Sequence, residues 1–274
     1  MVALETPHRF VFILMWKLLT CFVDTGQGLE VVERDYEIPI SADTFLHGPL
    51  IDWGMNDYLE IGQRADGIES RSLLTFDIGQ FMLESQWGQE DRYPNINQST
   101  ILRTSLSLSC TNIENARSTD PFERNFQDTL HVGRILVPWE EDVATSIVRA
   151  NGGQFWEVEN VGTDGTDATA SVASASVDIT YAACQEGVSV SFDITDTILS
   201  WINGSSPNYG LVIWAEDAML TRKWIKFVSS GSHDVVNHPV LAVTIQDTLV
   251  TTPGEYSFQN NIFVNFHKIN IHPS

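Results

Sequence analysis

The sequence predicts an all-β protein, a two-sheet antiparallel β-sandwich with one short helical turn. Apolar residues recur at every second position in short runs, Gly, Asn, Asp, Ser and Pro separate the runs, and no long stretch repeats apolar residues at helical spacing. Period-two alternation puts one set of side chains on one side of a strand, so each run has a core face and a wet face. About ten such runs without a long amphipathic helix stack as two packed layers. At 274 residues, 43% hydrophobic and 10% aromatic, the chain can bury one sizeable core.

The first 28 residues read as a leader. Residues 10–23, FVFILMWKLLTCFV, form an apolar run broken by Lys17 and preceded by His8 and Arg9. A spanning helix needs about 20 apolar residues, so this run has the length of a signal-peptide core. The reading is a removable signal ending near Gly28, with an uncleaved membrane anchor as the alternative, and it implies a secreted or cell-surface protein. Residues 29–250 form the body and 251–274 a strand-like tail.

Along the body, Ser72, Leu74, Phe76 and Ile78 are expected inward, with Arg71, Leu73, Thr75 and Asp77 outward. Leu106, Leu108 and Cys110 alternate with serines, and Val188, Val190, Phe192 and Ile194 alternate with Ser189, Ser191 and Asp193. Leu241, Val243 and Ile245 are the inward set of the last run. Further strands are expected over residues 57–61, 131–137, 176–181, 209–214 and 223–228. One helical turn fits 195–201, capped by Asp193 or Thr195, with Ile198, Leu199 and Trp201 on its apolar side and Asn203-Gly204 at its end. Residues 80–99 and 151–174 are long polar connections, either functional or mobile. The tail turns at Pro253-Gly254, and residues 257–271 read as an added strand, a peptide pairing with a neighbouring subunit's edge, or a disordered end.

The formal charge of -21, from 36 acidic and 15 basic residues, argues against a nucleic-acid partner, whose phosphates require Lys and Arg. Between Arg149 and Arg222 there is no basic residue, while ten acids fall there, a field that attracts cations or simply keeps the surface soluble. Cys21 lies in the leader, which leaves Cys110 and Cys184 as a bridge in an oxidising compartment or as two inert buried thiols.

The ordered motifs resemble the DNRLRE domain, a jelly-roll module of extracellular proteins related to carbohydrate-binding modules. SADTFL at 41–46, NDYLEIG at 56–62, SRSLLTFDI at 70–78, STILRTSLSL at 99–108 and VPWEEDVAT at 137–145 fall in the family's order. The most specific block is VSVSFDITDTILSWINGSSPNYGLVIWAED at 188–217, followed by KFVSSG and HPVLAVTI. The family's tryptophan after the glutamate is Ser146 here, and its charged "f.Sre" element is replaced by Phe227-Val228-Ser229-Ser230-Gly231. The resemblance implies a jelly roll that binds polysaccharide or a cell-surface glycan. The alternative is a structural surface protein, an adhesin or filament subunit, that self-associates through its tail.

Catalytic signatures are missing from the sequence: it holds no Gly-x-Ser-x-Gly, phosphate loop, HExxH or Cys-x-x-Cys. His233 and His238 are poorly spaced for a metal, and the neighbours Glu140 and Glu141 point differently, so the chain reads as non-catalytic. Sugar binding needs aromatic faces beside hydrogen-bonding side chains. Trp53, Trp87, Trp139, Trp156 and Trp214 fall in loops or at strand ends. Arg222, Trp224 and Lys226 form a basic group that Arg71 would join if their strands are neighbours; the other reading is that this group balances Glu216 and Asp217. Asp43, Asp164 and Asp167 offer oxygens to a structural calcium, although no cofactor is required. Asn97 and Asn203 open Asn-x-Ser sequons.

Overall fold

The structure, a computed structural model, describes residues 28–38, 40–48, 56–79, 101–115, 117–118, 120, 123–217, 222–252 and 255–258. The leader and Trp53 lie outside them. The chain is all-β, as the alternation predicts. Its strands are β1 (Gly28–Ile38), β2 (Ile40–Leu46), β3 (Tyr58–Gln63), β4 (Glu69–Phe76), β5 (Ile101–Asn115), β6 (Asn125–Arg134), β7 (Val148–Ala150), β8 (Gln154–Phe155) and β9 (Ala173–Thr180). The remaining elements are α1 (Tyr181–Gln185), β10 (Ser189–Asp193), α2 (Thr195–Ile202), β11 (Leu211–Ala215), β12 (Lys223–Val228), β13 (Val240–Thr252) and β14 (Glu255–Phe258).

Residues 33–246 form one compact unit. The described residues beyond it include a hairpin in which Leu249 pairs with Phe258 and Thr252 with Glu255. The segment from Ser257, a candidate for pairing with a neighbouring subunit, thus begins in a strand paired within its own chain.

In the larger unit an antiparallel ladder runs β13-β5-β12-β3-β4-β11-β6-β9, with β10 also on β5 and β2 also on β4. The sequence suggests two separate layers; here the ladder is continuous. Residues 101–107 of β5 pair with β13, residues 105–109 with β10 and residues 110–115 with β12, so the one strand serves both stretches. A single cluster gathers Leu106, Leu108, Val190, Phe192 and Leu241 with Leu59, Leu74, Leu130, Leu211 and Phe227, all buried. Val188, expected inward, is partly exposed, because β10 begins at Ser189 and the Val188 carbonyl instead accepts from Cys110 N at 2.9 Å.

The expected helical turn is α2, whose Ile198 and Trp201 enter the core. The unexpected one is α1, started by Thr180 Oγ1, which accepts from Ala183 N at 3.2 Å. It carries Cys184 to Cys110, and the two form a disulfide across a Cα separation of 5.0 Å.

The Asn208-Tyr209-Gly210 motif has a backbone reason. Asn208 Nδ2 donates to the Phe76 carbonyl at 2.9 Å and its Oδ1 accepts from Gly210 N at 3.1 Å, fixing the chain as it enters β11. Gly210 has φ +91°, and a Cβ there would stand 2.2 Å from the Leu74 carbonyl oxygen. Glycine avoids both the left-handed penalty and the clash.

The connection after β6 covers the outer face of the sheet rather than standing in solvent. Leu46, Leu73, Ile135, Ala144, Trp156, Val161, Ala168 and Val212 form a second buried cluster. Leu73, expected outward and wet, is therefore buried, and β4 has an apolar layer on both faces. Trp156 Nε1 donates to the Thr145 carbonyl at 2.9 Å, which satisfies the one polar atom of a residue only 5% exposed.

Gly210→Ala is expected to lower stability by at least about 2 kcal/mol, the sum of overpacking and left-handed strain. Urea denaturation followed by tryptophan fluorescence measures it, and an unchanged midpoint would refute the close-approach argument.

Candidate functional site

The chain enters α2 directly from β10, and this junction lines an open pocket. Asp193, Ile194, Thr195, Asp196 and Thr197 form one wall, while Arg134 from the end of β6 and Val172 form the other. Its volume is about 600 Å³, within the range of small-ligand sites. Asp193 Oδ1 accepts from Thr195 Oγ1 at 2.7 Å and Thr195 N at 3.0 Å. These bonds, helped by the charge of Arg103, hold the Asp193 carboxyl below its ordinary range. Ile194 sits at the cap position and gives the amino end of α2 no side-chain hydrogen bond.

Arg134 is the unusual residue of this group. Its Nη1 donates to Ser206 Oγ at 2.9 Å and to Ser200 Oγ at 3.2 Å, and its Nε is buried without a partner. It makes no ion pair among the described residues. In a chain with 36 acids, a half-buried guanidinium held only by two hydroxyls keeps donor capacity in reserve. The pocket therefore joins a donor fork to two carboxylates and two hydroxyls, a set suited to vicinal hydroxyl groups. Sequence reasoning passed over Arg134, because one arginine at a strand end carries no pattern.

The residues singled out from sequence are dispersed. Arg71 and Trp214 do meet, with the guanidinium 6.0 Å from the ring centroid. Both are half-buried beneath the covering loop: Arg71 pairs with Glu69 at 2.9 Å and donates to the Val161 carbonyl at 2.8 Å, while Trp214 stacks on His131. Arg71 does not join Lys226, because β3 separates β4 from β12. Lys226 pairs with Glu114 at 2.6 Å and lies 4.4 Å from the Tyr58 ring centroid, so its charge is balanced by Glu114 rather than by Glu216 or Asp217. Trp224 is only 8% exposed; Gly62, where a Cβ would stand 2.3 Å from the Lys223 carbonyl oxygen, lets β12 approach β3 closely there. Arg222 is exposed with φ +51°. Trp139 and Trp156 are also packed against or within the covering loop.

The candidate calcium ligands have separate tasks. Asp167 is 1% exposed and accepts from the backbone N–H groups of Glu157, Val158 and Gly162 at 2.9, 2.9 and 3.0 Å. It is the hub around which the covering loop is folded. Asp164 accepts from Thr166 Oγ1 at 2.6 Å in an exposed turn, and that bond lowers its carboxyl. Asp43 is buried on β2, accepting from Ser230 N at 2.6 Å. Its neighbour Glu141 accepts from Asp43 N at 2.9 Å. Burial pushes both carboxyls up, and their mutual repulsion adds to the rise at Glu141. Among the described residues no group of three or more His, Cys, Asp or Glu is placed to hold a metal.

A further polar chain escaped the sequence. His47 contacts Asp66 Oδ2 at 2.9 Å and Ser70 Oγ at 3.0 Å, and Ser70 donates to Glu60 Oε1 at 2.8 Å. Burial raises the Asp66 carboxyl, but the Ile68 N–H and His47 outweigh it and leave it lowered. The order resembles a nucleophile relay, yet Ser70 is fully buried and its proton goes to Glu60, which Arg64 also holds. No hydroxyl faces a substrate there, and the network instead ties β2, β3 and β4 together. No protein-family model matches the chain, and no curated protein matches it.

Asp167→Ala leaves three loop amides without an acceptor and is expected to cost at least about 2 kcal/mol. Limited proteolysis should then cut within residues 151–166 while the strand signal in circular dichroism survives; equal protease resistance would remove Asp167 as the hub. At Glu141 the raised carboxyl means a stabilising contribution present below the unfolded pKa and lost as pH rises through the folded one. Glu141→Gln keeps the acceptor for Asp43 N, so it should be more stable than wild type at pH 7, with the advantage gone near pH 4, by urea midpoints at both pH values.

Proposed function

We propose that the chain is a secreted, non-catalytic, saccharide-binding module of the DNRLRE kind, taking a neutral sugar of a polysaccharide in the pocket between Arg134 and the start of α2. The observation that carries this reading is that Arg134, which makes no ion pair among the described residues, lines the same pocket as Asp193 and Asp196. Carboxylates accept hydroxyl protons, a guanidinium edge donates to hydroxyl oxygens, and a sugar ring presents both at adjacent carbons. A neutral ligand suits the site better than an anionic one, because the two carboxylates and the net charge of -21 oppose anions. The motif order over residues 41–245 supports the family reading, and the Cys110–Cys184 disulfide suits an oxidising compartment. The aromatic contribution expected from Trp214 and Trp224 is not required here, since both rings are engaged in packing.

Retention of the full chain on a panel of insoluble neutral polysaccharides, followed by calorimetry with oligosaccharides of the best binder, tests the proposal. Arg134→Gln and Asp196→Ala should each weaken binding about tenfold, the worth of one good charge-assisted hydrogen bond, with a melting temperature close to wild type. Lack of retention on any member of the panel, or binding indifferent to both substitutions, would overturn it.

A further inference from the structure

We propose that Asn203 is an acceptor for an N-linked glycan; the inference rests on the secretion reading above. The sequon Asn203-Gly204-Ser205 sits where α2 ends. Asn203 caps the helix, its backbone N donating to the Leu199 carbonyl at 3.0 Å, and Gly204 at φ +70° turns the chain away. All three sequon residues are exposed, and a Cβ added at Gly204 would touch nothing within 4 Å.

The hydrogen bonding of Asn203 divides its two carboxamide atoms. Oδ1 accepts from Ser205 N at 2.8 Å, while Nδ2 makes no hydrogen bond with any described residue. The bond to sugar forms at Nδ2 and leaves the carbonyl oxygen in place, so the turn made by Oδ1 survives modification. Nδ2 attacks the anomeric carbon of an oligosaccharide carried on a lipid pyrophosphate. The carbon–oxygen bond breaks, the lipid pyrophosphate departs with the electron pair, and Nδ2 loses one proton.

The position adjoins the Arg134 side of the pocket. An eight-residue helix spans about 12 Å, so Asn203 lies at the other end of α2 from Asp193 and Thr195 but close to Arg134, whose guanidinium donates to Ser200 and Ser206 on either side of the sequon. A hydrophilic chain there would shield the exposed run of residues 203–205.

The test expresses the full chain carrying Asn97→Gln in a eukaryotic secretory host, once behind a proven cleavable signal and once with its own first 28 residues. Secreted protein from the first arm should lose mass on peptide-N-glycosidase treatment, with an ¹⁸O label incorporated at position 203. Asn203→Gln and Ser205→Ala should abolish the shift, and Ser205→Thr should keep it. Secreted, disulfide-bonded protein without modification at 203 overturns the site and leaves secretion standing. Modification in the first arm with no export in the second upholds the site and sinks the secretion reading instead.

Discussion

The molecule depends on strand β5. Leu106, Leu108 and Cys110 point into the core from even positions, yet Ile101 and Ile113, at odd positions, are buried as well. Strict alternation forbids this, because a shift of one residue moves a side chain to the opposite face. Two irregularities resolve it. Between Thr244 and Ile245 the pairing jumps from Arg103 to Ile101, and between Lys226 and Phe227 it jumps from Asn112 to Cys110. Each extra residue on β5 resets the parity and bends the strand, so its apolar side follows the core as the ladder curls. The disulfide at Cys110 anchors the same bend to α1.

That curl leaves an outer surface, and the chain uses its longest described connection to cover part of it. Leu73 and Val212 would otherwise expose an apolar patch on adjacent strands, and Trp156, Val161 and Ala168 close over them. A loop of that length must satisfy its own amides, and Asp167 meets three of them with one carboxylate. Trp139, Trp156 and Trp214, which sequence reasoning offered to sugar, are consumed in this covering layer. The pocket that remains is polar, built where β10 stops alternating and begins to coil.

Much of the fold was legible from residues alone. VSVSFDI and TSLSLSC carry clean alternation, and the helical turn announces itself by the Asn203-Gly204 pair that ends it, although its cap position falls on Ile194, which gives no side-chain cap bond, rather than on Asp193 or Thr195. The bulges were not legible, since a single strand does not reveal which partner it skips. Leu73 misled for a related reason: alternation identifies two faces, but whether the second face is wet depends on a loop more than 60 residues away. The pairing of Cys110 with Cys184 needed α1, a turn hidden in a sequence that read as strand through Tyr181.

The candidate site was less legible because its meaning lies in what each charge fails to contact. Arg64, Arg71 and Lys226 are all tied to carboxylates, as a chain with more than twice as many acids as bases leads one to expect. Composition alone predicts the same for Arg134, which instead rests on Ser200 and Ser206. Hydroxyls orient a guanidinium without neutralising it, and partial burial strengthens the field that remains. Asp193 and Asp196 share the pocket, and Asp193 is turned into a local bond with Thr195. Arg134 and Asp193 thus line one pocket without an ion pair between them, the one resting on Ser200 and Ser206 and the other on Thr195, and it is this separation on which the saccharide proposal draws.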